Sequence, residues 1–598
     1  MMDKPGGAAM RKTKIICTLG PKTRDVDNIR KIIETGADAI RINFSHDDHK
    51  IHGETVKRVI KVREELGKPI PLILDTKGPE IRTGVMKDDL DHKLNIGDSF
   101  TLTTEEIEGD GKRVSVTYKN LPFDLKRGSR ILIDDGLIEL RVKNLTDTDI
   151  ECSVVNGGIL GSRKGVNIPD VFVNLPALTE KDIADVEFAP KAGFDYIAAS
   201  FIRCAADIIK IRQVLEEAGG SDIQIIAKIE NRDGVNNIDE IIEVADAIMV
   251  ARGDLGVEIP TEEVPIVQKE LIKKANKAGK PVVTATQMLD SMIRNPRPTR
   301  AETTDVANAI FDGTSAIMLS GETAKGDYPL EAIQTMAKIA MTAEAVVAKQ
   351  AQETLVSKNY GISMTNAVSH ATCNAARELD AACIISITKS GYTARSISKF
   401  KPNCRIVGCT NNQRVLRQLN LVWGCTPVLI SPKEGASTDE TFALAVQKIE
   451  ELKLAEQGDV VVLSAGVPLG AEGTSNIMKV QYVGNVLTKG MGFGNKSITG
   501  RASVIKVLDE ADQYFKQGDI LVAHKTSNEY LPYMKKASAI VIEESALEEN
   551  NHAVIVGRTL DIPVIIGANG IIEGLKNATV ITVDSRNGYI YNGVVHKA

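Results

Sequence analysis

The strings YIAASF (Tyr196–Phe201), QIIAKIE (Gln224–Glu230), AIMVAR (Ala247–Arg252), PVVTATQ (Pro281–Gln287) and AIMLSG (Ala316–Gly321) decide the fold of this chain. Each is short, apolar and rich in β-branched residues, and a segment of helical periodicity follows it, which is the signature of βα units around a parallel sheet. Three earlier runs of the same kind, Lys14–Leu19, Ala39–Asn43 and Pro71–Asp75, bring the series to eight. Their spacing is even except for a gap of roughly 125 residues between the third and fourth runs, where a block of about 100 residues is interposed. Eight even βα units predict a closed (β/α)8 TIM barrel, residues 10–77 and 176–349, carrying one inserted domain.

The insert, residues 78–175, reads differently. Alternating segments such as Arg130–Ile133 and Leu137–Val142 flank the turn Asp134-Asp135-Gly136, so a small β-barrel lid domain is expected. A second βα series starts near Thr365, with Cys383–Thr388, Arg405–Cys409, Thr426–Ile430 and Val460–Ser464 as strand candidates. It predicts a doubly wound α/β domain over 350–483. The Gly-rich stretch Lys489–Gly494 precedes a final segment with short apolar runs at Val554–Val556 and Pro563–Ile566, read as an appended domain over 484–598. Residues 1–9, with Pro5, Gly6 and Gly7 ahead of Met10, read as a leader or tag.

With 598 residues, several hydrophobic cores are required. The 43 % hydrophobic and 25 % charged contents are those of a soluble globular chain. No apolar run reaches bilayer length, so a membrane role is not expected. The eight cysteines fall singly, as at Cys17, Cys152 and Cys204, without metal-knuckle spacing, and predict reduced thiols in a cytoplasmic protein. The net charge of −6, with no long basic block, excludes nucleic acid as an expected partner.

In a parallel barrel the active site lies at the C-terminal strand ends, and here these ends are unusually polar. Strand two supplies Arg41, Asn43, Ser45 and His46; strand three Asp75 and Thr76; strand five Lys228 and Glu230; strand six Gly253 and Asp254; strand seven Thr286; strand eight Ser320. Lys228 and Glu230, two apart on one strand, share a face. Glu230 and Asp254 could give oxygen ligands to Mg²⁺ (or Mn²⁺), the alternative being a purely structural ion pair. Lys228 and Arg41 add fixed positive charge, which with a divalent ion suits either phosphoryl transfer or enolate chemistry. The hard-oxygen group Asn43, Ser45, Asp75 and Thr76 carries one negative charge and no soft ligand, a set better matched to a monovalent cation than to zinc.

Five strings, Arg41-Ile42-Asn43-Phe44-Ser45-His46, Asp75 to Gly84 (DTKGPEIRTG), Ala227-Lys228-Ile229-Glu230-Asn231, Ala251 to Gly256 (ARGDLG) and Ala285-Thr286-Gln287-Met288, closely resemble pyruvate kinases, in order, across about residues 12–483. The resemblance implies phosphate transfer from phosphoenolpyruvate to ADP, a nucleotide-closing lid, an effector domain and a homotetramer. It further implies that Arg41, Gly253, Asp254 and Thr286 contact phosphoenolpyruvate and that Glu230 and Asp254 hold Mg²⁺. Lys228 would stabilise the transferring phosphoryl group and the enolate, with Thr286 and Ser320 orienting a proton relay. Asn43, Ser45, Asp75 and Thr76 would ligate K⁺, a requirement that accompanies a Glu at the position of Glu80 in the family. Asn43, His46, Arg82 and Lys181 would face the nucleotide.

Thr388-Lys389-Ser390-Gly391-Tyr392-Thr393 resembles the family's effector phosphate loop, a reasonable anion cradle ahead of a helix. Tyr392 stands where the best-studied sugar-bisphosphate-activated members have Arg, and the later loop, 470–476, is also individual. The effector therefore stays open among AMP, a sugar monophosphate and a bisphosphate. His552-Ala553-Val554-Ile555-Val556-Gly557-Arg558 resembles the swivelling phosphohistidine domain of phosphoenolpyruvate-utilising enzymes. Here, however, Glu548 and Glu549 replace the usual glycines and hydroxyls, and their charge opposes a phosphohistidine, so structural or regulatory use is expected. Two rival readings are a metal-dependent aldolase or lyase on the same barrel, against which Arg82, Lys181 and the insert speak, and a non-enzymatic metabolite sensor, for which the complete set Lys228, Glu230, Asp254 and Thr286 would be superfluous.

Overall fold

A computed structural model of the chain describes residues 11–169, 171, 173–353, 363–467, 474–544 and 551–594. The leader 1–9, residues 470–473 of the later loop, and Glu548 and Glu549 lie outside the described residues. All eight predicted runs are strands of one closed parallel barrel: β1 (Lys14–Leu19), β2 (Ala39–Asn43), β3 (Leu72–Asp75), β4 (Tyr196–Ala199), β5 (Gln224–Ile229), β6 (Ala247–Ala251), β7 (Val282–Ala285) and β8 (Ala316–Leu319). Each pairs with its sequence neighbours, and β1 closes the ring on β8 through Lys14 opposite Ala316.

Strand parity sets what faces inward. Ile15, Leu72, Leu74, Ala227 and Ile229 pack outward against the helices, while their neighbours Ile16, Ile73 and Ile226 join Met249 and Met318 inside the ring. Counting by twos along the same strands, Ala39 leads to Arg41, Ile73 to Asp75, and Ile226 to Lys228. The charged residues thus stand in the interior register, one layer above an apolar core.

The insert forms a seven-stranded sheet in the order Ile81–Arg82, Gly165–Asn167, Arg130–Ile133, Ile138–Leu145, Asp149–Asn156, Ser99–Thr103, Arg113–Ser115. Its two edge strands meet through a bridge between Thr83 and Val116, with Thr117 N donating to Arg82 O at 2.9 Å, so the sheet rolls up around its own core of Phe100, Leu102, Ile131 and Leu140. The predicted turn holds, Asp134 and Asp135 taking φ of 57° and 54°.

The described residues divide into two compact units, Met1–Asn366 with Thr388–Leu429, and Ala367–Ile387 with Ile430–Ala598. In the first, Arg405–Thr410 pairs parallel with Cys425–Leu429. In the second, Cys383–Ile387 pairs parallel with Val460–Ala465, and the C-terminal segment forms an eight-stranded mixed sheet over a core including Val504, Val522 and Val541. The Gly-rich stretch Lys489–Gly494 takes part in this sheet: Val486–Lys489 and Met491–Phe493 are its two edge strands. Among the described residues no helix is long and apolar enough to cross a membrane.

At the barrel floor, Asp195 just ahead of β4 has a fully buried carboxylate that takes Arg417 Nε at 2.8 Å, Arg63 Nη1 at 3.7 Å and Leu72 N at 3.0 Å. Asp195→Asn would leave two guanidinium groups facing a neutral side chain. A loss of about 3–5 kcal/mol is expected, read as a lower urea midpoint; an unchanged midpoint would mean that the cluster contributes nothing net.

Candidate active site

Helix Glu180–Ala192 opens with a capping box in which Thr179 and Asp182 satisfy each other's backbone N–H groups. The other Asp182 oxygen accepts Gly78 N at 3.0 Å, so the cap also holds the point where the chain leaves β3 for the lid. Gly78 has φ of +73°, and a Cβ there would lie 2.7 Å from the Phe201 ring and 2.8 Å from Ser200 Cβ; only glycine fits.

In the barrel mouth, Lys228 Nζ lies 2.7 Å from Ser200 Oγ, 2.9 Å from Glu230 Oε1 and 3.1 Å from Asp75 Oδ1. The second Asp75 oxygen takes Arg41 Nε at 2.7 Å, and Arg41 Nη1 donates to Thr18 Oγ1 at 3.1 Å. The second Glu230 oxygen accepts Phe201 N at 2.6 Å, from a residue held at φ of 56°. Burial works against every charge here. It is outweighed at Lys228, which Asp75 and Glu230 hold above the ordinary lysine range, and at Asp75, which Arg41 and Lys228 hold below the usual carboxylate range. At Glu230 burial wins and, helped by Asp254, raises the carboxyl to about 7 in spite of Lys228. This carboxylate gains most from a divalent cation replacing its proton.

Asp254 stands in the first turn of helix Arg252–Glu258, next to Gly253, whose N–H donates to Thr286 Oγ1 at 2.7 Å. Thr286 in turn donates to Ala285 O at 2.6 Å and sits at φ of 68°, a strained conformation for a β-branched residue. Among the described residues Ser320 Oγ is buried and has no hydrogen-bond partner, while its backbone N donates to the buried Glu322, whose carboxyl burial pushes up. Asn43 is opposite Asp75 in the β2–β3 register, its Oδ1 accepting Ser45 N at 3.1 Å. Thr76 bonds Ser200 through both its hydroxyl and its carbonyl.

The predicted nucleotide-side residues are less closely gathered. Arg82 lies on the wall of a cleft of about 1060 Å³ between lid and barrel, paired with Glu80 at 2.7 Å. Asp254 and Phe201 line the same cleft, whereas Lys228 and Glu230 do not. Burial and the facing Asp254 both raise Asp135 on the lid hairpin. Lys181 is tied to Phe44 O at 2.7 Å and Asp185 at 2.8 Å, and Asp185 also takes His49 Nε2 at 2.5 Å. His46 is exposed, its carbonyl taking His52 Nε2 at 2.8 Å. Inspection of the strand ends passed over Thr18, Ser200, Asp185 and Glu322. Ser200 had a visible signal, as it closes the apolar run of β4.

In the predicted effector loop, Gly391 has φ of 82° and opens helix Tyr392–Ser398. Lys389 is exposed and Ser390 half-buried, but the Thr388 and Thr393 side chains are buried. In the second unit, His552 begins helix His552–Leu560 with both ring nitrogens engaged, Nδ1 by Thr526 Oγ1 at 3.0 Å and Nε2 by Asn528 Oδ1 at 3.2 Å.

Comparison with known proteins agrees along the whole length. Residues 10–333 match the family model for the pyruvate kinase barrel domain, 366–481 that for the pyruvate kinase alpha/beta domain, and 515–588 that for the mobile domain of PEP-utilising enzymes. The chain is 48 % identical to a pyruvate kinase of Bacillus licheniformis over 586 residues (98 % of this chain, 99 % of that one). It is 47 % identical to one of Geobacillus stearothermophilus over 589 residues, with the same coverages. A crystal structure of a pyruvate kinase from Cryptosporidium parvum superposes with a TM-score of 0.74 at 39 % identity, covering 79 % of this chain and 96 % of that one.

His52 supplies a test of how the loop after β2 is held. Its ring stacks on Phe44 with centroids 4.0 Å apart, and burial keeps it below the ordinary histidine range. The unfolded chain takes up this proton near pH ~6.5 and the folded chain only at lower pH, so stability falls as pH drops through that value. Wild type should lose more melting temperature between about pH 7.5 and about pH 5.5 than His52→Gln; equal losses would show that the buried ring does not titrate with unfolding.

Proposed function

The chain belongs to the pyruvate kinase family, and from that premise we propose that it transfers phosphate from phosphoenolpyruvate to ADP in the barrel mouth, giving pyruvate and ATP. The observation that carries this reading is the buried Lys228, held between Asp75, Glu230 and Ser200 with its charge secured.

The residues divide the work. The P–O bond to the enol oxygen breaks, a new P–O bond forms to the terminal ADP oxygen, and the enolate takes a proton at its methylene carbon. Lys228 and Arg41 neutralise the transferring group and the enolate oxygen. Arg41, Gly253, Asp254 and Thr286 bind phosphoenolpyruvate, the positive end of helix Arg252–Glu258 favouring its negative charge. The Ser320 hydroxyl, without a hydrogen-bond partner among the described residues, is freer to relay the proton than that of Thr286, which already donates to Ala285 O. Asn43, His46, Arg82 and Lys181 face the nucleotide.

Glu230 and Asp254 fit a divalent ion: they are hard oxygen donors, and the proton that burial favours on Glu230 is the natural competitor of Mg²⁺ or Mn²⁺. When bound, the ion supplies charge to the phosphoryl oxygens. Asn43, Ser45, Asp75 and Thr76 offer K⁺ neutral oxygens and one carboxylate, and we assign them that role. A cytoplasmic homotetramer activated by a phosphorylated metabolite at Thr388, Lys389, Ser390, Gly391 and Thr393 belongs to the same reading, supported by the loop's likeness to the family's effector loop. We assign His552 a structural role, because both ring nitrogens are engaged; ³²P carried on this domain after labelled phosphoenolpyruvate would overturn that.

Lys228→Met should lower kcat by about 10³-fold or more while phosphoenolpyruvate still binds; undiminished turnover would remove the proposed mechanism. Pyruvate release should require K⁺, failing in Na⁺ alone. AMP, a sugar monophosphate or a bisphosphate should shift the phosphoenolpyruvate saturation curve to lower concentration. Full activity in Na⁺ would remove the K⁺ assignment, and a curve unmoved by all three effectors would remove the effector site.

A further inference from the structure

The string ARGDLG holds a charged residue that the proposed function leaves idle. Arg252 directly precedes Gly253 and Asp254, and its side chain is largely buried, 11 % exposed. Its guanidinium joins the end of β7 to two outer helices. Nη2 donates to Thr286 O at 2.7 Å and Nε to Ala285 O at 3.3 Å. Nη1 donates to Asp305 Oδ1 at 2.6 Å, on helix Arg300–Phe311, and to Gln268 Oε1 at 3.4 Å, on helix Val264–Ala278.

The turn held in this way is strained. Thr286 and Gln287 take φ of 68° and 55° in succession, and residues with side chains keep such angles only where their surroundings enforce them, a β-branched one most of all. The Thr286 hydroxyl is gripped as well, by Gly253 N at 2.7 Å. Both grips on Thr286, one on its carbonyl and one on its hydroxyl, therefore come from consecutive residues at the start of helix Arg252–Glu258. Relaxing Thr286 to negative φ would carry its carbonyl off the guanidinium. A guanidinium suits this task because it is planar, always charged and presents its donors in a fixed fork, so that it can hold two carbonyls and a carboxylate at once. An ammonium on a flexible stem lacks that geometry.

We propose that Arg252 is a positioning residue for phosphoenolpyruvate: anchored by Asp305, its guanidinium fixes the Thr286 carbonyl and so sets where the Thr286 hydroxyl meets the substrate. The inference rests on the pyruvate kinase reading and adds to it a residue that acts only through another. Its effect passes through Thr286 and spares the nucleotide side, where Asn43, His46, Arg82 and Lys181 are assigned.

Steady-state kinetics on the full chain with Mg²⁺ and K⁺ test this through a double-mutant cycle. Arg252→Lys should raise KM for phosphoenolpyruvate about tenfold while KM for ADP moves less than about twofold. In a Thr286→Ala background the same substitution should raise KM for phosphoenolpyruvate less than about twofold, because the hydroxyl it positions is gone. Asp305→Asn keeps the guanidinium and changes a partly exposed partner. It should give the same pattern at smaller size, and it carries the cycle if Arg252→Lys does not fold. Equal rises in the two KM values, an unmoved KM for phosphoenolpyruvate, or a rise as large in Thr286→Ala as in wild type would overturn the proposal. Wild type that releases no pyruvate would instead remove the reading beneath it, and the inference with it.

Discussion

One carboxylate organises the centre of this protein. Asp75 ends β3 inside the barrel and takes a cation on each oxygen, Arg41 on one side and Lys228 on the other. Burying three charges in one place is tolerable only because each has a partner at hydrogen-bond distance; with a partner removed, the remaining charges face an apolar interior. The apolar layer of Ile16, Ile73, Ile226 and Met318 lies directly below in the interior register. It excludes water from the lower face of the network and strengthens every interaction above it. Stability and reactivity thus pull on the same residues, since the geometry that makes the mouth polar is affordable only on a closed ring of strands.

Much of this was legible in the chain. The eight runs stand out because a strand buried on both faces reads as a continuous apolar segment, and parity then turns each inward residue into a site candidate. Arg41, Asp75, Lys228 and Glu230 were found in this way. Thr18 and Glu322 were not, since a strand hydroxyl or a carboxylate in the first turn of a short helix is indistinguishable in sequence from a solvated residue, and Ser200 was passed over although it closes the run of β4. What marks them is contact across strands: Ser200 meets Lys228 over a sequence separation of 28, and Thr18 meets Arg41 over 23. Single-strand patterns carry no such information.

The lid strands Ile81–Arg82, Arg113–Ser115 and Gly165–Asn167 were too short to show a period. The stretch Lys489–Gly494 hid its strand pairing for a different reason. Its glycines signal close approach rather than a turn: a Cβ on Gly490 would lie 2.3 Å from Ile566 O, and one on Gly492 would lie 2.0 Å from Ser585 O. Glycine in a sequence marks missing space as readily as needed freedom.

The second task of Asp182 bears on the lid motion that the proposed reading requires. One carboxylate closes the cap of helix Glu180–Ala192 and also grips the backbone of Gly78, the same glycine wedged against Ser200 and Phe201. Pulling Gly78 outward would fray a helix and unseat the neighbour of Lys228 in the same stroke. For the lid motion of the proposed reading, the pivot on this side would lie beyond Gly78, toward Pro79 and Glu80, because Gly78 is pinned by Asp182, Ser200 and Phe201. In the proposed reading, opening and closing would sweep Arg82 and Asp135 through the cleft while leaving the charged centre undisturbed, separating the mobility that admits a nucleotide from the rigidity that chemistry demands.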